Sequence, residues 1–219
     1  MSQKKEKTKN FKPIPCKIIL VGDSGVGKTC IINAYTNEFK ENTIATVSAS
    51  YYNKLAIIND YLLLFQIWDT VGQEQYRSLN SLYFKDAHIC LMVYDITRES
   101  SFKSIKEYWY EAVTNNGLEN VIFGIAGNKN DLNVNEKVDK NEAKEFSEDI
   151  NAVFKFTSAR QNNSINELFR ELGERFVNSN FMLEIGNEYF RSRNSSYNSF
   201  QISKDENNNK TNNKDKGCC

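Results

Sequence analysis

Short apolar runs alternate with stretches of mixed polarity along most of this chain, and their spacing sets out its elements. The run CKIILV at 16–21 ends in glycine and predicts a buried strand. Residues 28–39 carry helical spacing. LLLFQIW at 62–68 predicts a second strand, paired with the alternating stretch at 51–58 through a hairpin turn at Asn59-Asp60. ICLMVY at 89–94 and residues 121–126 and 153–156 predict further buried strands. Residues 101–113 and 142–149 predict helices between them. A last helix is expected from about Ser164, where Ser164 and Glu167 have the spacing of a capping box. Strands alternating with helices indicate an α/β fold with a mainly parallel sheet. In such sheets a ligand site lies at the carboxyl ends of the strands.

The pattern decays after about residue 180. Residues 192–217 are dominated by Ser, Asn, Lys and other charges, a composition that does not offset the entropy of ordering. The expected organisation is a flexible basic extension over 1–15, one folded domain over 16–178 and a tail over 179–219. The formal net charge is zero but unevenly spread. Residues 1–12 hold five Lys against one Glu, and residues 191–219 hold six basic against three acidic residues, so the body of the chain is acidic. Basic ends suit anionic lipid or solvated tails, and nothing resembles a nucleic-acid reader. Cys16, Cys30 and Cys90 stand singly among apolar residues and read as small hydrophobes in a reducing compartment. No run of apolar residues is long enough for a spanning helix. The start lacks a signal peptide, and residue 2 is Ser rather than the Gly that myristoylation needs. Lone His88, just before a strand, reads as structural.

Every chemical motif falls just after an apolar run. GDSGVGKT at 22–29 matches the P-loop between a strand and a helix. Its glycines turn backbone N–H groups toward phosphate oxygens, and the helix N-terminus adds a favourable dipole. The nucleotide-contacting stretch runs from Ser24 through Gly25, Val26, Gly27, Lys28 and Thr29 to Cys30. In it Lys28 neutralises the β- and γ-phosphates and the Thr29 hydroxyl binds Mg²⁺. NKND at 128–131 supplies a base site. The Asp131 carboxylate accepts from guanine N1–H and its 2-amino group, neither of which adenine offers, and a buried unsatisfied acceptor costs about 1–3 kcal/mol. Lys129 lays its stem along the ring and Asn128 ties the loop to the P-loop. In TSAR at 157–160 the Ala159 N–H meets guanine O6, with Ser158 and Arg160 beside it. DTVGQE at 69–74 brings Asp69 to Mg²⁺, the Gly72 N–H to the γ-phosphate, and Gln73 to the attacking water.

GDSGVGKT, WDTVGQE, NKND, TSAR and a terminal GCC, in this order, resemble the Rab branch of the Ras-like small GTPases. LMVYDIT at 91–97 and LYFKDA at 82–87 strengthen the resemblance, which covers about residues 17–177 and the last two. It implies a six-stranded sheet with five helices, GTP or GDP with Mg²⁺, and slow hydrolysis of GTP in a switch that regulates vesicle and endosomal trafficking. It implies that Thr46 is the Mg²⁺-binding threonine of the first switch, with Thr43 the competing candidate. Phe39 then packs on the guanine, and Tyr51, Trp68 and Tyr83 form an aromatic triad read by effectors. The implied partners are an exchange factor, an activating protein, an escort protein or GDP-dissociation inhibitor, and effectors. The implied form is a monomer on the cytoplasmic face of intracellular membranes, with a cytosolic pool. Cys218 and Cys219 look like a double prenylation signal, two lipids being needed because one holds only marginally, with Lys210, Lys214 and Lys216 adding attraction to anionic lipid. ASY after TVS, and SLNSLYFKDA, are closer to the early-endosomal Rabs than to the secretory ones.

Two residues depart from the family pattern. Val71 stands where the family has Ala, and its stiff β-branch is expected to slow hydrolysis or bias the switch. Arg160 replaces Lys and keeps the charge without being an equivalent donor. No arginine is placed in cis by the sequence, so the site is expected to be slow alone and accelerated by a partner's arginine finger. Val71 keeps a second reading open, a GTP-bound scaffold with little hydrolysis, against which Gln73 argues.

Overall fold

The computed structural model of the chain describes residues 12–36, 49–72, 82–116 and 119–183. The apolar run at 16–21 lies in β1 (Ile14–Val21), where Ile18 to Val21 are all fully buried. Each such side chain contributes about 1.5–3 kcal/mol by leaving water, which places this strand at the centre of the sheet. β2 (Ser50–Ile58) and β3 (Tyr61–Asp69) form the expected hairpin. Asn59 and Asp60 turn it with φ of 47° and 67°, the left-handed pair that a two-residue turn between twisted strands demands. β4 (Ile89–Asp95), β5 (Ile122–Asn128) and β6 (Val153–Phe156) complete a six-stranded sheet of order β2-β3-β1-β4-β5-β6. Only the β2–β3 pairing is antiparallel. Along β2 burial alternates, leaving Tyr51, Leu55 and Ile57 exposed on one side of this edge strand.

Helices cover both faces. α1 (Lys28–Thr36) and α5 (Ile165–Val177) pack on one, where Tyr35 stacks on Phe169 at 3.9 Å between ring centroids. On the other, α2 (Glu99–Ser104) passes through a π-helical turn (Ile105–Trp109) into α3 (Tyr110–Asn116). Phe102, Ile105, Trp109 and Val113 from this continuous rod close over Met92, Tyr94 and Ile125, joined by Ala143 of α4 (Lys140–Asp149). Asp139 caps α4, accepting from the backbone N–H groups of Asn141 and Glu142 at 2.7 and 3.0 Å, so the helix starts two residues before the expected 142.

α5 begins where the pattern put it, but not with the expected capping box. Ser164 has φ of 56°, whereas a capping serine sits in the extended region, and its hydroxyl donates to Asn163 Oδ1. Cys16 and Cys90 are fully buried, and burial raises both thiols. His88 is structural as expected. Its Nδ1 accepts from the Lys17 N–H at 2.9 Å and its ring meets the Phe176 ring edge-on at 5.2 Å. The described residues up to Val177 form one compact unit, and those from Asn178 belong to a second. In the described part of the second, the Met182 N–H donates to the Ser179 carbonyl.

Candidate functional site

The register of the sheet decides what meets at its carboxyl end. Leu20 of β1 pairs with Asp69 of β3, Val21 with Met92 of β4, and Asp95 of β4 with Asn128 of β5. The P-loop, the DTVG turn and the NKND loop therefore leave the sheet side by side.

Residues 22–27 connect β1 to α1. Lys28 is buried, and its Nζ donates to the Gly22 carbonyl at 2.7 Å and to the Asp23 carbonyl at 3.1 Å. Burial pushes its ammonium down to about 8 against the attraction of Asp69 and Asp23, and Arg98 pushes the same way as burial. Gly72 closes on the same atoms. A Cβ there would stand 2.4 Å from Lys28 Nζ and 2.6 Å from the Asp23 carbonyl carbon, so only glycine lets the turn after β3 approach so nearly. Val71 beside it is buried. Thr29 and Asp69, 40 residues apart, meet in a 2.5 Å hydrogen bond from Thr29 Oγ1 to Asp69 Oδ2. A hydroxyl and a carboxylate side by side are hard oxygen donors, the set that Mg²⁺ takes.

The base side is a knot around Asn128, which is buried at the end of β5. Its Nδ2 donates to the Val26 carbonyl at 2.9 Å, and its Oδ1 accepts from Thr157 Oγ1 and from the Ala159 N–H, each at 3.3 Å. Gly27 must be bare for this, since a Cβ would lie 2.4 Å from Asn128 Nδ2. The Asp131 carboxylate accepts from Ser158 Oγ at 2.6 Å, and the Asn130 N–H donates to the Thr157 carbonyl at 2.9 Å. NKND and TSAR are thus stitched to each other and to the P-loop. Lys129 holds φ of 66°, and its Nζ lies 2.6 Å from Asp95 Oδ2. Asp95 also accepts from the Thr97 N–H at 2.9 Å and its hydroxyl at 2.7 Å. Burial alone would raise the Asp95 carboxyl, but these bonds and the Lys129 charge hold it below its usual range. Arg160 is exposed, and Cys30 is half-buried behind Thr29.

Trp68 stands between Tyr51 and Tyr83, at 5.0 and 5.5 Å between ring centroids. Tyr51 is exposed while Trp68 and Tyr83 are half-buried, so the three present one aromatic surface. Phe39, Thr43, Thr46, Gln73, Cys218 and Cys219, with the tail lysines, lie outside the described residues.

Three residues beside the site were not singled out from sequence. Asp95 carried the signal that marked Asp69, an acid ending an apolar strand. Arg98 and Trp109 carried none. The structure brings Arg98 Nη2 to the Ser24 carbonyl at 2.8 Å, although no arginine was placed in cis by sequence. Trp109 Nε1 donates to Asp23 Oδ1 at 3.1 Å.

A phosphate loop and a guanine-selective loop held by one side chain at the end of a parallel sheet define a nucleotide-binding α/β protein. The sequence model of the Ras family matches residues 17–178. Human Ras-related protein Rab-22A is 36% identical over 178 residues, covering 81% of this chain and 91% of that protein. Mouse Rab-31 is 39% identical over 155 residues, covering 70% and 79%. Rab-1A of Dictyostelium discoideum is 33% identical over 163 residues, covering 74% and 80%. The chain belongs to the Ras family of small GTPases, and within it to the Rabs. It binds GTP and GDP with Mg²⁺, hydrolyses GTP, and works as a switch in membrane trafficking with exchange factors, activating proteins, dissociation inhibitors and effectors.

Proposed function

We propose that the residues gathered at the sheet's carboxyl end divide the work of the switch as follows. Asp131, held by Ser158, accepts from the guanine N1–H and 2-amino group. Lys129, its ammonium anchored on Asp95, lays its stem along the ring. Ala159 directs its N–H to the guanine O6. Lys28 exchanges its bonds to the Gly22 and Asp23 carbonyls for phosphate oxygens. Thr29, Asp69 and Thr46 (Thr43 being the competing residue) hold Mg²⁺, which neutralises charge developing on the phosphates. Gln73 orients water, and the Gly72 N–H meets the γ-phosphate. The observation that carries this reading is the Asn128 carboxamide, which joins the base loop to the P-loop through the 2.9 Å bond to Val26.

Effectors read the surface of Tyr51, Trp68 and Tyr83, whose position depends on the neighbouring turn after β3. The chain acts as a monomer on the cytoplasmic face of endosomal membranes, held by prenyl groups on Cys218 and Cys219. The resemblance of its switch segments to early-endosomal Rabs and its similarity to Rab-22A and Rab-31 support that compartment. Val71 slows intrinsic hydrolysis or biases the switch, and an unchanged GTPase rate in Val71→Ala would remove that role.

The test is to load purified protein with GTP or ATP and follow phosphate release. Release from GTP alone supports the reading, and a failure to bind guanine nucleotides would overturn the site. Asp131→Asn replaces an acceptor with a donor and is expected to move preference from guanine to xanthine nucleotides. An Asp131→Asn protein that still prefers GDP would remove Asp131 from the base site.

A further inference from the structure

The P-loop has an outer wall as well as an inner one, and the segment following β4 grips it at two consecutive residues. Arg98 Nη2 donates to the Ser24 carbonyl, and Trp109 Nε1 donates to the Asp23 carboxylate. Both donors are fixed from behind. The Arg98 backbone N–H donates to the Asp95 carbonyl at 2.9 Å, and its own carbonyl accepts from the Ser101 N–H and hydroxyl at 3.0 and 2.6 Å. Trp109 is fully buried and closes a π-helical turn, a local widening of the helix that re-aims side chains and is common at functional sites.

We infer that Arg98 and Trp109 form a clamp of two positioning residues that sets the P-loop against the turn at Gly72 and so tunes how the protein discriminates GTP from GDP. Asp23 joins the clamp to the turn. Its carboxylate takes the Trp109 bond, its carbonyl accepts from Lys28 Nζ at 3.1 Å, and its backbone is what Gly72 approaches. Ser24 is next in the loop, and Arg98 Nη1 comes within 3.9 Å of where a Cβ on Gly25 would sit. A guanidinium here therefore lies against the phosphate-binding backbone. Its Nε is buried with no hydrogen-bond partner among the described residues, a cost the fold sustains to keep the cation in place. A fixed positive charge there favours the nucleotide with the extra phosphate. The rigid loop it braces favours the geometry in which Gly72 meets that phosphate.

The inference rests on the nucleotide site proposed above, and one set of measurements separates the two. Full-length protein is loaded with fluorescent GDP or a non-hydrolysable GTP analogue, dissociation rates are measured for each, and single-turnover hydrolysis of GTP is followed. Wild-type protein that binds neither nucleotide would sink the site and the clamp together. With binding established, Arg98→Met is expected to speed release of the GTP analogue by about tenfold, as loss of a charge-assisted bond would, while GDP release changes several-fold less. Arg98→Lys, which keeps the charge but not the fork, is expected to restore the ratio of the two rates in part. Trp109→Phe keeps an aromatic ring in the core but removes the indole donor and part of the buried ring. It is expected to slow hydrolysis by about threefold, and it carries the test if Arg98→Met does not fold. Equal acceleration of both nucleotides, or a ratio and hydrolysis rate within error of wild type in the folded variants, would overturn the clamp.

Discussion

The two ends of the nucleotide site are built on opposite plans. At the base end the polar groups find partners in one another. Asn128, Asp131, Ser158, Thr157 and Ala159 form one network, and Lys129 is tied to Asp95. At the phosphate end the main cation, Lys28, is held by the carbonyls of its own loop, and Gly72 comes in from a different strand. A pre-formed network loses little entropy when the base docks, so it suits selection. A loop that must exchange carbonyls for phosphate oxygens, with a neighbour from a separate element, suits response. The protein recognises with the end whose polar groups are already paired and reports with the end whose bonds must be exchanged.

Asn128→Ala attacks the one residue that serves both ends, so the largest effect is expected there. It leaves the buried Val26 carbonyl without its partner and unties the base loop from the P-loop. A loss of GDP affinity of up to about a hundredfold follows from a buried group left unsatisfied, measurable by calorimetry. A loss no larger than that of a base-end variant would mean the ends are not joined through this side chain. Gly72→Ala tests the phosphate end alone. The new methyl would meet the Asp23 backbone as well as Lys28. Single-turnover hydrolysis is expected to fall by more than about tenfold, as for loss of a transition-state donor, while GDP affinity stays within a few-fold. Ser158→Ala tests the base end alone, removing the 2.6 Å bond to Asp131. GDP affinity is expected to fall by about threefold to tenfold, in line with one hydrogen bond to a charged group, with the hydrolysis rate of loaded protein unchanged.

The smallest effect is on stability against pH. Burial raises the Asp95 carboxyl, but bonds from Lys129 and Thr97 outweigh it and leave the folded group below its ordinary 3.8. The unfolded chain then binds more protons, so this contribution is fully present above pH 3.8 and is lost as pH falls through the folded value. Denaturant titrations of wild type and Asp95→Asn should converge as pH is lowered below that point. A constant gap between them would show that Asp95 acts only through its shape.

How much of this was legible in the sequence depended on whether the cause was local. β1 and β4 announced themselves because Ile18–Val21 and Ile89–Tyr94 are buried on both faces and therefore form continuous apolar runs. The hairpin announced itself through Asn59-Asp60, since those residues tolerate positive φ. Thr29 was visible because it closes the P-loop pattern, and Asp69, Asn128 and Asp131 because polar residues at or just past a strand end are themselves a pattern. Arg98 and Trp109 were not, because what matters about them is proximity to residues 74 and 86 positions away, which no local spacing encodes. The π-helical turn that aims Trp109 was equally hidden inside an ordinary amphipathic pattern. Ser164 misled in the other direction. Its spacing to Glu167 suits a cap, but the bridge between Ser158 and Asn163 brings the chain in with a left-handed residue instead.

The exposed side of β2 has a different kind of consequence. Among the described residues this strand is an edge of the sheet, with Leu55 and Ile57 turned to solvent at 55% and 77% exposure. Edge strands invite a second backbone, and apolar side chains on them remove the charge that ordinarily keeps neighbours apart. A second chain pairing here would do so at the hairpin end of β2, away from the nucleotide, and the tendency would grow with protein concentration.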